Sequence, residues 1–117
     1  MGIVKDKKIL SVEEMMAAED IQYAEVEAFG GIVRIGSIDA GQMIEFVESN
    51  EGPGKRTAGL RLIIKSLVDG EGSRIGKDEH LQLWMRRSQK TCNRIVEEIL
   101  KLNGLDKDAA KAAAGNA

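Results

Sequence analysis

Three stretches hold residue types able to do chemistry. Gly52-Pro53-Gly54-Lys55-Arg56-Thr57 stands before a helical pattern and invites a phosphate-loop reading. That loop needs a glycine five positions before Gly54 and a hydroxyl directly after the lysine; Ser49 and Arg56 stand there instead, and no strand leads in. Asp69-Gly70-Glu71-Gly72-Ser73 resembles the opening of a calcium loop, but the positions that need glycine and a bidentate acid hold Arg74 and His80. His80 and Cys92 are the single histidine and the single cysteine, too few for a zinc site built from those residues. Cys92 falls in an apolar stripe, where a small buried thiol packs like a hydrophobe, and no base is evident to activate it. The paired acids Glu13-Glu14, Asp78-Glu79 and Glu97-Glu98 are helix neighbours that point about 100° apart, so each pair reads as solvated surface rather than a shared site. No cofactor or metal follows from these residues, and no catalytic set.

What remains is chemistry suited to gripping protein. Trp84 is the single tryptophan, a core anchor or an exposed hot spot. Met15, Met16, Met43 and Met85 carry flexible thioethers, which fill cores or make adaptable contact surfaces; core filling is the expected role for most of them.

The elements that must position these residues are legible. Ser11-Val12-Glu13-Glu14 is a capping box, with Leu10 and Met15 at staple positions, and it predicts a short helix over 12–18. From Gln22 to Phe29 the chain alternates, with Ala24, Val26 and Ala28 on one face. Gly30-Gly31 predicts a tight hairpin turn that would pair Phe29 with Ile32, Ala28 with Val33, Glu27 with Arg34 and Val26 with Ile35. Phe29, Ile32 and Tyr23 remain on the outer face of a two-stranded ribbon with two open edges. Asp39 and Gln42 form a second capping pair before a helix over 39–49. Leu60, Ile63, Ile64 and Leu67 predict a helix over 57–68, and Lys77 to Arg87 predicts another with Leu81, Trp84 and Met85 on one side. Ser88 caps a last helix over 89–102, whose stripe is Cys92, Ile95, Val96, Ile99 and Leu102. Gly104 and Leu105 supply its Schellman stop.

The fold class is therefore α+β: an N-terminal short helix and a β-hairpin followed by a mostly helical bundle of about four helices. Residues 1–8 read as a flexible N-terminus, 9–105 as one domain, and the Asp, Lys, Ala, Gly and Asn tail 106–117 as disordered. The 117 residues suffice for one modest core. A net charge of −2 with interspersed signs gives no basic field for nucleic acid. Nothing approaches the roughly 18 apolar residues of a membrane span, and the lone cysteine suits a reducing, cytoplasmic setting.

Four strings, in order, resemble the tail assembly chaperones of long-tailed bacteriophages and prophages. They are Ile9 to Asp20 (ILSVEEMMAAED), Val26 to Ile35 (VEAFGGIVRI), Ser66 to Gly72 (SLVDGEG) and Ile99 to Leu105 (ILKLNGL). Phe29 stands where such hairpins often carry tryptophan. The resemblance covers 9–105 and implies no enzymatic activity and no cofactor. It implies a chain that binds the tape measure protein, keeps it soluble while the tail tube protein polymerises around it, and acts in the host cytoplasm without entering the mature virion. The competing expectation is a small structural part of the phage, a connector or tail completion protein, retained in the virion. For a holdase the expected client contacts are Trp84, Met85 and Met43, through helix-in-groove docking. The expected homo-oligomer contacts are Phe29, Ile32 and Tyr23 on the hairpin.

Overall fold

The computed structural model describes residues 7–49 and 55–105. The elements are α1 (Val12–Ala17), β1 (Tyr23–Ala28), β2 (Gly31–Gly36), α2 (Ala40–Ser49), α3 (Ala58–Ser66), β3 (Leu67–Val68), α4 (Leu81–Trp84) and α5 (Gln89–Leu102). This is the expected α+β order, with four helices after the hairpin. Of the expected N-terminal segment, Lys7 and Lys8 are described, and Lys8 pairs with Glu14. The remainder, the 106–117 tail and the Gly52-Pro53-Gly54 string lie outside the described residues.

The local signals act as the chain's chemistry dictates. At α1 the Ser11 hydroxyl accepts from the Glu14 N–H at 3.2 Å, and the Glu14 carboxylate accepts from the Ser11 N–H at 2.9 Å. Asp39 and Gln42 exchange the same two bonds at α2, at 2.7 and 3.3 Å. At the end of α5, Gly104 takes φ 84°, the Gly104 N–H donates to Lys101 O at 3.0 Å and the Leu105 N–H to Leu100 O at 2.7 Å, the two bonds of a Schellman stop.

The hairpin register departs from expectation. The turn is Phe29-Gly30, with φ of 55° and 78°, rather than Gly30-Gly31. Ala28 therefore opposes Gly31, Glu27 opposes Ile32, Val26 opposes Val33 and Glu25 opposes Arg34. The shift moves each partner by two residues, so side chains keep their faces and the apolar side still meets the core. What changes is the turn: a phenylalanine occupies a left-handed position that costs an L-residue about 1 kcal/mol.

The helix expected over 57–68 starts as a 3₁₀ turn at Lys55–Thr57 and ends at Ser66. Leu67 and Val68 form β3, opposite Ile35 and Arg34 of β2, in a three-stranded sheet of order β1-β2-β3. The strand wins because it buries Val68 and gives the free edge of β2 partners for its backbone groups. Arg74 secures this switch from helix to strand. Its guanidinium donates to the α3 carbonyls of Lys65 at 3.1 Å and Ser66 at 3.4 Å and to Ser37 O at 2.7 Å, placing a cation at the negative helix end. On the outer sheet face Arg34 lies 4.4 Å over the Tyr23 ring and donates to the carbonyls of Asp69 and Gly70.

The helix expected from Lys77 to Arg87 is shorter. A 3₁₀ turn at Asp78–His80 leads into α4, and the chain leaves it in turns closed by bonds from the Arg86 and Arg87 N–H groups to Leu83 and Trp84 carbonyls. The core sits between the sheet, α3 and α5, with Ile35, Leu62, Ile63, Ile95 and Ile99 fully buried. Each such side chain contributes about 1.5–3 kcal/mol by leaving water. Ser66, also fully buried, satisfies its hydroxyl by donating to Leu62 O at 2.8 Å.

Candidate protein-docking surface

Two short segments meet at one end of the molecule. The hairpin turn brings Phe29 to α4, where its ring meets that of Trp84 edge to face, with centroids 5.9 Å apart and planes at 63°. Trp84 is half-buried against the core, so it serves both as an anchor and as part of the surface. Leu83 and Met85, its neighbours on this stub of helix, stand 57% and 53% exposed, and Ile32 beside the turn is 60% exposed. A four-residue helix has too little length to bury both sides, so its apolar residues splay around the one that is anchored.

Depressions on this end share their walls. Phe29, Trp84, Leu83 and His80 line one. Leu60, Trp84, Met85 and Val96 line a groove of about 440 Å³ between the N-terminal turns of α3 and α5. Phe29 and Ile32 line a third against Arg94. Arginines rim them: Arg56 and Arg87 at the groove, Arg86 and Arg87 beside Phe29, and Arg94 at the hairpin. Arg94 also donates to Glu27 O at 2.7 Å, covering an outward carbonyl of the edge strand β1 and fastening the hairpin to α5. The whole is an apolar strip with an aromatic centre, a flexible methionine and a cationic border.

The residues anticipated for binding are divided by this geometry. Trp84 and Met85 share the groove, whereas Met43 packs half-buried against the core from α2 and lies outside the groove lining. Phe29 and Ile32 share the hairpin tip, whereas Tyr23 sits at the far end of β1, opposite Gly36. The structure instead joins Phe29, expected on one surface, to Trp84, expected on another. Leu83 and the arginine border carry no signal along the sequence. Leu83 falls off the stripe of Leu81, Trp84 and Met85, and four arginines spread over three segments show no single cluster along the chain. The methionines also differ from expectation. Met43 fills core, but Met15 and Met16 of α1 and Met85 of the groove are exposed.

The other candidates resolve into structure. Asp69 closes its turn by accepting from the N–H groups of Glu71 at 2.8 Å and Ser73 at 3.0 Å. Those bonds, that from Ser73 foremost, hold its carboxyl below the usual range. His80 Nδ1 accepts from the Lys77 N–H at 3.2 Å. Cys92 is buried in the core, and loss of water pushes its thiol pKa up, away from a reactive thiolate. A second cleft, between α2 and α3, has mixed charges, with Lys65 Nζ 3.8 Å from a Glu45 carboxylate oxygen. Among the described residues no group of three or more His, Cys, Asp or Glu side chains is placed to hold a metal ion, and no helix is long and apolar enough to cross a membrane.

Compared with protein-family models, curated proteins and solved structures, the chain matches none of them.

Proposed function

We propose that this chain is a non-enzymatic tail assembly chaperone of a long-tailed bacteriophage or prophage. In this reading it binds the tape measure protein in the host cytoplasm, keeps it soluble while the tail tube protein polymerises around it, and is left out of the mature virion. The observation that carries the reading is the strip of exposed Phe29, Leu83 and Met85 around the half-buried Trp84, set beside a groove and bordered by arginines. A holdase needs apolar contact that forms and releases. A shallow, open strip with a methionine in it offers that, since the thioether adapts to many partners at little cost in fit. An amphipathic client helix fits a groove of this kind by placing every third or fourth residue in it.

The four strings that carry the family resemblance add support. Ile9 to Asp20 holds the capping box and both ends of α1, Val26 to Ile35 is the hairpin, Ser66 to Gly72 spans the switch from α3 through β3 into its turn, and Ile99 to Leu105 ends α5. Each falls on an element boundary, where the residue types have a mechanical reason to be what they are.

The test is co-expression with the tape measure chain encoded beside it. Wild type should raise the soluble fraction of that chain and co-purify with it. Leu83→Asp and Met85→Asp alter exposed side chains, so both variants should fold and neither should hold the client. Equal solubility of the client with and without this chain would end the proposal. So would recovery of this chain as a stoichiometric part of purified virions.

A further inference from the structure

We propose that the segment Ile9 to Ala18 of one copy docks in the Leu60–Trp84–Met85–Val96 groove of another. In this structure α1 buries none of its residues. Ile9 is 97% and Met16 77% exposed, and Val12 and Met15 are exposed as well. Val12, Met15 and Met16 fall at i, i+3 and i+4, so α1 carries an apolar face that no described residue covers. Its capping box shows that the helix is specified locally, ready-made for a partner surface.

Charge selects the partner. Between Ile9 and Asp20 the chain has the carboxylates Glu13, Glu14, Glu19 and Asp20 and no lysine or arginine; Lys8, just before, pairs with Glu14, so Glu13, Glu19 and Asp20 set the sign of the arm. Among the described residues the groove lining has Arg56 and Arg87 and no carboxylate. An acidic amphipathic helix and a basic-bordered apolar groove are complementary, and both are on the same chain.

The arm is anchored at the opposite end of β1 from the groove. Gln22 is held at the base of the hairpin, where its N–H donates to Ser37 Oγ at 2.9 Å and its carbonyl accepts from the Ser37 N–H at 2.8 Å. Only Ala18 to Ile21 remain to swing α1, about 14 Å when fully extended. The groove lies at the other end of β1, with Trp84 against the turn, and the strand between is about 20 Å long. In this structure the arm lies out of its own groove, with no residue of α1 buried, and the groove of a second copy is the matching site. The contact is one-way, so copies can join head to tail. The inference stands apart from the tail-assembly reading, although a client helix using that groove would compete with the arm.

Light scattering of the full chain over a concentration series, without any client, tests it. Wild type should show an average mass above that of one chain, rising with concentration and falling as salt is raised. Met16→Asp spoils the arm and Met85→Asp spoils the groove; both positions are exposed, and circular dichroism should show wild-type helicity. Each variant alone should have the mass of one chain. An equimolar mixture should form a one-to-one complex, because the first keeps its groove and the second keeps its arm. A wild type of single-chain mass at the highest attainable concentration overturns the inference. So does a variant that associates like wild type, or a mixture that stays monomeric. A failure here leaves the client reading untouched, because the client is absent from the experiment.

Discussion

The ring of Phe29 meets the ring of Trp84 edge to face, 5.9 Å between centroids, and so ties the hairpin turn to α4. The contact explains why the turn sits where it does. Placing the turn at Gly30-Gly31 would spare a phenylalanine from φ 55°. Placing it at Phe29-Gly30 costs about 1 kcal/mol in backbone strain and gains an aromatic pair worth about 0.5–1.5 kcal/mol beyond its buried area.

Substitutions at position 29 should therefore separate strain from contact. Phe29→Ala loses the ring and keeps the strained backbone; Phe29→Gly loses the ring and relieves the strain. In urea unfolding, the glycine variant should be about 1 kcal/mol more stable than the alanine variant. Equal stabilities would mean that the left-handed turn is not held at Phe29.

The core makes a larger demand. Ile95 and Leu62 are fully buried between the sheet and the helices. Ile95→Ala or Leu62→Ala should each cost about 2–5 kcal/mol, with the urea dependence unchanged. A loss below about 1 kcal/mol at both sites would contradict this packing.

Gly76 packs directly on the backbone of α3. A Cβ there would lie 1.9 Å from Ile64 O, whereas one at Gly31 would meet nothing within 4 Å. Gly76→Ala should destabilise by about 1–3 kcal/mol or more, and Gly31→Ala should stay within about 0.5 kcal/mol of wild type. Thermal unfolding of the pair decides the matter.

Acid should weaken the turn after β3. The Asp69 carboxyl is held below its ordinary pKa chiefly by the Ser73 and Glu71 N–H groups. A depressed folded pKa means stability that is present above the unfolded value, near 3.9, and is lost as pH falls through the folded one. The melting temperature of wild type should drop on acidification below about pH 4. The drop should be shallower in Asp69→Asn, measured by calorimetry at several pH values.

Cys92 offers a folding probe. Buried, with its thiol pKa raised, it should react slowly with a thiol reagent at pH 8 in buffer and rapidly in denaturing urea. Comparable rates in both conditions would place the thiol at the surface.

The sequence by itself determined whatever depends on neighbours along the chain. The capping pairs at Ser11 and Asp39, the stripe of α5 and its glycine stop are short-range devices in which partner atoms lie within a few residues, so residue type alone specifies them. The face of each strand was legible for the same reason, since alternation needs only the pleat. Three features needed the third dimension. The hairpin slipped by two residues because Phe29 finds Trp84, a partner far along the chain. Leu67 and Val68 left a good helical pattern because the bare edge of β2 offered them a ladder and burial. The exposed strip with its arginine border exists because α4 is too short to hide both its sides and because three separate segments bring their cations to one end. Local patterns record what each segment can do; which segments meet depends on competition among distant contacts for the same buried space, and no spacing along the chain encodes the winner.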